Sequence, residues 1–213
     1  MINDTIKKIA IVGASGHGKV IAELAETLGY SVSFYDDAYP SIVSVEHWEI
    51  KGTFDQLLCL NQDEVEVFVA IGNNHIRELK VHLLDENKFA LATLIHPSAN
   101  VSKYAVVGGG CVILAGAVVN AFATLGMGCI INSGAIVEHD CIVSDFSHIS
   151  PNAALAGGVT IGKRSWIGLG ANINQLLDIG DDSIIGAGST VVRSIEPNVI
   201  AYGSPAITIK KNT

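Results

Sequence analysis

From Ile95 to Val191 every sixth residue is Ile, Leu or Val, seventeen in succession. Four residues after each of these, the side chain is Ala, Cys or Ser in fourteen of the seventeen hexads, the exceptions being Val159, Leu177 and Ile195. An α-helix would smear a six-residue period around its circumference, and a flat strand needs an apolar residue at every second position. The four-then-two spacing therefore requires a bend inside each hexad. Hexapeptide repeats of this kind predict a parallel β-helix, in which each hexad forms one short side of a coil and stacked coils bury a continuous prism. Three hexads per coil set an eighteen-residue step, which stacks Cys111 directly on Cys129 and makes both core residues.

Residues 1–94 show a different pattern. An apolar run, Ile9 to Val12, is followed by Gly13-Ala14-Ser15-Gly16-His17-Gly18 and an amphipathic stretch from Lys19 to Leu28. Strand, glycine turn and helix form the βα unit that presents unpaired N–H groups and a helix dipole to a phosphate. The spacing is GxxGxG and not GxGxxG, so a nicotinamide cofactor is the weaker reading. A second strand, Ser31 to Tyr35, ends in Asp36-Asp37; a third, Val65 to Ile71, ends in Gly72-Asn73-Asn74 and leads into a helix from His75 to about Glu86. All three strand ends fall on one edge of a small parallel sheet, the edge where such sheets bind ligands. Taken singly, Asp36-Asp37 before Tyr39-Pro40 also reads as a turn, and His17 as a polar residue of the first helical turn. The expected organisation is an α/β Rossmann-like domain over 1–94, an all-β repeat domain over 95–196 and a C-terminal tail over 197–213.

Composition narrows the partners. The formal net charge of -8 argues against a nucleic-acid surface, which needs clustered Lys and Arg. Tyr104 to Val137 carries no charged residue, yet it is crowded with Gly, Asn, Ser and Thr on the six-residue period, so a membrane span is rejected. Cys59, Cys111, Cys129 and Cys141 form no CxxC pair and suggest reduced thiols. With no signal-peptide pattern at the start of the chain, the expected location is cytoplasmic. No metal site is expected.

Within the repeat, His139 occupies the third slot of its hexad, away from both inward positions, between Glu138 and Asp140. Histidine suits general-base work near neutral pH, and a carboxylate on one ring nitrogen fixes the tautomer and raises the basicity of the other. A solvated histidine between two acids is the plain alternative. His148 fills the sixth slot of its own hexad, again outside the core positions.

The repeat resembles the hexapeptide acyltransferase superfamily, which implies a left-handed parallel β-helix assembled as a homotrimer with acetyl-CoA between adjacent prisms. The whole chain resembles the group formed by sialic-acid O-acetyltransferases and bacillosamine-pathway N-acetyltransferases. Carrying that resemblance are the glycine motif at 13–18, Asp36-Asp37, Ala70-Ile71-Gly72-Asn73-Asn74, Ile95-His96-Pro97, Glu138-His139-Asp140 and Phe146-Ser147-His148. It implies a UDP-amino-sugar acceptor bound by Gly13, Ser15, Gly16, His17, Asp36, Asp37, Gly72 and Asn73, and a catalytic His139 supported by Asp140 ahead of Glu138. It also implies a cofactor groove lined by Asn132, His148, Ser150, Gly157, Leu169 and Ala187. Ile207 stands where the family's Pro-Ala-Lys/Arg ending has a cation. A sugar O-acetyltransferase, or a non-catalytic nucleotide-sugar-binding β-helix, is the competing expectation.

Overall fold

The apolar run near the start of the chain forms an interior strand of a five-stranded sheet in the computed structural model, which describes residues 7–212. Chain order in this first unit is β1 (Lys8–Val12), α1 (Gly16–Thr27), β2 (Ser31–Tyr35), β3 (Ser44–Val45), β4 (Trp48–Gly52), α2 (Phe54–Leu58), β5 (Glu66–Val69) and α3 (Asn74–Glu86). The sheet order is β3-β4-β2-β1-β5. β1 is flanked by β2 and β5, both parallel to it, and its residues from Ile9 onward are buried, as a strand covered on both faces must be.

Helix α1 starts at Gly16, three residues earlier than the amphipathic pattern places it. The glycines after Ser15 are thus the helix's own first turn. At Gly18 a Cβ would come 2.3 Å from the Gly13 carbonyl oxygen and 3.0 Å from Phe34 Cε1, so only glycine lets the helix sit this close to the turn. The third strand is shorter than its apolar run, ending at Val69. Asn73 caps α3, its side chain accepting from the Ile76 amide at 3.0 Å.

The chain divides between Leu94 and Ile95 into two compact units. In the second, two-residue strands recur every six residues from Asn100–Val101 to Thr190–Val191 and pair in parallel at the eighteen-residue step, as in Val118↔Ile136 and Ile130↔His148. Three faces result. The first carries Ile130–Ile131, His148–Ile149 and Trp166–Ile167; the second Ile136–Val137 and Ala154–Leu155; the third Ile142–Val143 and Thr160–Ile161. The large and small apolar residues of the repeat fill the prism, Cys111, Cys129 and Cys141 among them.

Each bend has one cause. The fourth slot of fourteen consecutive hexads, from Gly110 to Gly188, has positive φ, seven times without glycine: Phe122, Asp140, Phe146, Asn152, Arg164, Leu176 and Asp182. From Gly128 onward the amide of that residue donates to a carbonyl one coil back, as from Asp140 to Ala121 at 3.1 Å, which ties the corner to its neighbour and helps offset the left-handed backbone. Where serine replaces the small apolar residue, its hydroxyl is buried but paired: Ser147 donates to the Gly162 carbonyl and Ser165 to that of Gly180, both at 2.7 Å.

The stretch read as a C-terminal tail is built into the second unit as a pair of strands. Val199–Gly203 pairs in parallel with Ile184–Ile185 and then antiparallel with Ala206–Lys211, burying Ala201 and Ala206. A hairpin closes the open end of the prism, because the last coil's ladder groups need partners. Among the described residues no helix is long and apolar enough to cross a membrane.

Candidate active site

His139 stands at the edge between the second and third faces, on the bend that joins Ile136–Val137 to Ile142–Val143. Asp140 occupies the positive-φ slot of that bend, with φ of 60°, a conformation that Asp tolerates better than most residues. The bend puts its carboxylate beside the histidine, with His139 Nδ1 and Asp140 Oδ2 2.8 Å apart. Glu138 instead accepts from the His139 amide at 3.3 Å. A carboxylate on Nδ1 makes that nitrogen the donor and leaves the lone pair on Nε2. Both side chains are more than half exposed. Gly157 lies exactly one eighteen-residue step beyond His139, and a Cβ there would come 2.5 Å from the imidazole Cε1 and 2.6 Å from Nε2. The ring therefore lies against bare backbone.

A second cluster occupies the first face and the edge that joins it to the second. Ser133 donates its amide to Asn132 Oδ1 at 2.8 Å, so Asn132 Nδ2 is the donor to His148 Nε2 at 3.1 Å. The His148 ring stacks on Trp166, with centroids 5.9 Å apart and planes 6° apart. Trp166 in turn donates from Nε1 to Ser150 Oγ at 2.7 Å. Asn132 and Ser150 share one column of the prism; Leu169, which is exposed, and Ala187 form the adjoining one. Trp166 was absent from the expected set. The eighteen-residue step from His148 leads directly to it.

The site residues of the repeat thus fall into two groups on different edges of one prism. His139, Asp140 and Gly157 are together; Asn132, His148, Ser150, Leu169 and Ala187 are together; a full face separates the two. On the third face's side of the prism, Lys163 meets Asp145 at 3.1 Å and Arg164 forks onto Asp182 at 2.8 and 2.7 Å.

In the first unit, a cleft of about 240 Å³ opens at the C-terminal ends of β1, β2 and β5, lined by Gly13, Ser15, Asp36, Asp37, Gly72 and Lys80 among others. Asp36 shapes it: Oδ2 accepts from the Ala14 amide at 2.7 Å and Oδ1 from that of Ala38 at 2.9 Å. Asp37 accepts from the Phe54 amide at 3.0 Å and from Lys80 Nζ at 2.9 Å. The Lys80 bond, and after it the Phe54 amide, holds the Asp37 carboxyl below its usual range.

Three expected contacts stand apart from the cleft lining. Gly16 opens α1, and Asn73 is occupied as the α3 cap. The imidazole of His17 is turned inward, its Nε2 buried and without a hydrogen-bond partner among the described residues. Burial, and secondarily the nearby Arg77 guanidinium, lowers its pKa to about 4. Arg77 is itself buried, donating to the Ile71 carbonyl at 2.9 Å and to Asn74 Oδ1 at 2.8 Å. Among the described residues no group of three His, Cys, Asp or Glu is arranged to hold a metal ion.

Residues 8–84 match the PglD N-terminal domain. The UDP-N-acetylbacillosamine N-acetyltransferase of Bacillus subtilis is 42% identical over 114 residues, 52% of each chain, so the matched stretch spans about half of that relative's length. The acetyltransferase domain of PglB from Neisseria gonorrhoeae, also solved in complex with acetyl coenzyme A, is 40% identical with a TM-score of 0.92, over 95% of this chain and 100% of that one. A variant of perosamine N-acetyltransferase from Caulobacter crescentus, in complex with CoA and GDP-perosamine, is 35% identical with a TM-score of 0.92, over 97% of this chain and 99% of that one. Alike from end to end with solved acetyltransferases of this kind, the chain belongs to the sugar N-acetyltransferase family built on a hexapeptide β-helix.

Proposed function

We propose that the protein moves the acetyl group of acetyl-CoA to the 4-amino group of a UDP-linked 4-amino-4,6-dideoxy-N-acetyl sugar, with His139 as general base. The observation that carries this reading is the His139–Asp140 pair at 2.8 Å, with Nε2 left as the basic nitrogen on an exposed edge. The amine nitrogen attacks the thioester carbonyl, the C–S bond breaks, and His139 Nε2 takes the amine proton; the thiolate of CoA is the leaving group. Asp140 stabilises the imidazolium that forms. Such a base contributes roughly a hundred- to ten-thousand-fold to rate.

The acceptor's nucleotide is assigned to the cleft of the first unit, where α1 offers first-turn amides at the glycine loop and Asp37 a fixed carboxylate. Acetyl-CoA is assigned to the Asn132–His148–Ser150–Leu169–Ala187 side. Because that side and the His139 edge are separated by a face, a second copy of the chain would supply one of the two, and a homotrimer with sites between prisms meets this requirement. Phe122 and Leu176, 64% and 78% exposed in the same corner column as Asp140, would be covered by such a neighbour. A single sedimenting species of trimer mass is expected; an active monomer would contradict it.

A second reading has its own support, since the Caulobacter relative was solved with GDP-perosamine, a different nucleotide. Initial rates of CoA release with a UDP-4-amino sugar, GDP-perosamine and sialic acid at equal concentration separate the readings. The UDP sugar should turn over fastest. Faster turnover of sialic acid would overturn the amine acceptor, and faster turnover of GDP-perosamine the nucleotide.

A further inference from the structure

Lys80 belongs to no motif of the sequence, yet it lines the cleft in a defined pose. Its ammonium lies 3.9 Å from the centroid of the Phe54 ring and 2.9 Å from Asp37 Oδ2, and its side chain is only 17% exposed. The Phe54 amide, from the N-terminus of α2, takes the other oxygen of the same carboxylate at 3.0 Å. Asp37 is thereby gripped from two elements while its side chain remains 65% exposed towards solvent. The neighbouring Asp36 is spent differently, since its two oxygens bind the Ala14 and Ala38 amides and hold the loop. An ionised carboxylate accepts about four hydrogen bonds. Asp37 has two in place, so each oxygen keeps room for an incoming N–H or O–H donor.

We propose that Lys80 is a positioning residue for nucleotide recognition, holding the Asp37 carboxylate in a fixed orientation to accept a hydrogen bond from the nucleoside of the acceptor sugar's nucleotide. This rests on the assignment of the cleft to the nucleotide. A lysine is a point charge on a flexible stem, and fixing it usually costs side-chain entropy. Packing over the Phe54 face offsets part of that cost and leaves the ammonium one direction in which to donate. The depressed Asp37 pKa is the same arrangement seen through titration, keeping the acceptor charged.

The test is a double-mutant cycle in the full chain, with Lys80→Met, Asp37→Asn and the double variant, read as KM for the nucleotide sugar, kcat, and binding of the free nucleoside diphosphate by calorimetry. Methionine keeps the stem over Phe54 and removes the charge. Lys80→Met should raise KM and the UDP dissociation constant about tenfold, the scale of one charged hydrogen bond, with kcat within twofold. In the Asp37→Asn background the same change should add less than twofold, and Lys80→Arg should recover part of the loss. A further tenfold loss in that background would show that Lys80 meets the ligand directly and overturn the proposal, as would unchanged binding in Lys80→Met. If Asp37→Asn alone leaves UDP and GDP binding unchanged, the assignment of the cleft itself fails.

Discussion

The two units hold their candidate functional residues by different means. In the β-helix one device is repeated: a positive-φ corner in fourteen consecutive hexads, tied from Gly128 onward by its backbone amide to the coil before it. His139 and Asp140 are placed by that repeat, and nothing in the core depends on them. In the α/β unit each loop is held by its own bonds, Ala14 to Asp36, Phe54 to Asp37, Arg77 to Ile71, so shape and binding surface share the same side chains. The lesson is that the β-helix site can be altered without disturbing the fold, whereas a change in the cleft reaches its frame.

Two glycines break or sharpen this contrast. At Gly157 an added methyl meets the exposed His139 ring, which is free to swing away. Gly157→Ala should therefore lower kcat on the order of a hundredfold, since a displacement of about 1 Å suffices for that, while the melting temperature stays within about 1 °C. Circular dichroism and steady-state rates check both halves; a normal rate would mean that the ring position is not catalytic. At Gly18 the methyl meets the Gly13 carbonyl, which is backbone and has nowhere to go. Gly18→Ala should destabilise the first unit by about 1–3 kcal/mol, seen as faster hydrogen exchange of the β1 amides, and leave exchange in the β-helix unchanged. Equal acceleration in both units would erase the distinction.

A smaller effect follows from His17. Its folded pKa, about 4, lies below the ordinary 6.5, so the unfolded chain binds the proton more readily. The associated stability is fully present above pH 6.5 and is lost as pH falls towards 4, up to about 3 kcal/mol in all. Hydrogen exchange of the β1 amides should accelerate across that window in the native chain and much less in His17→Gln. The same pH dependence in both would place the titrating group elsewhere.

What the sequence disclosed divides along the same line. The hexads, their eighteen-residue step and the burial of Cys111 and Cys129 were legible because a period is a local property summed over many turns. Ser31–Tyr35 matched its strand because Val32 and Phe34 alternate with serines and Asp36-Asp37 follows at once. The start of α1 was missed because Gly-His-Gly reads as loop, although it supplies a first turn that packs on Gly13. Trp166 lies one eighteen-residue step from His148, but a tryptophan at an outward slot carries no motif of its own. Lys80 was not legible at all, since its partner is forty-three residues away and no pattern links them. The division of the repeat's site residues between two edges needed the stacking itself.

The central claim, that His139 is the base in acetyl transfer, is tested most directly by His139→Ala, measuring CoA release with the UDP-4-amino sugar alongside acetyl-CoA binding by calorimetry. The account predicts kcat reduced by roughly a hundred- to ten-thousand-fold with acetyl-CoA affinity within about twofold of native. Near-native turnover in that variant would contradict it.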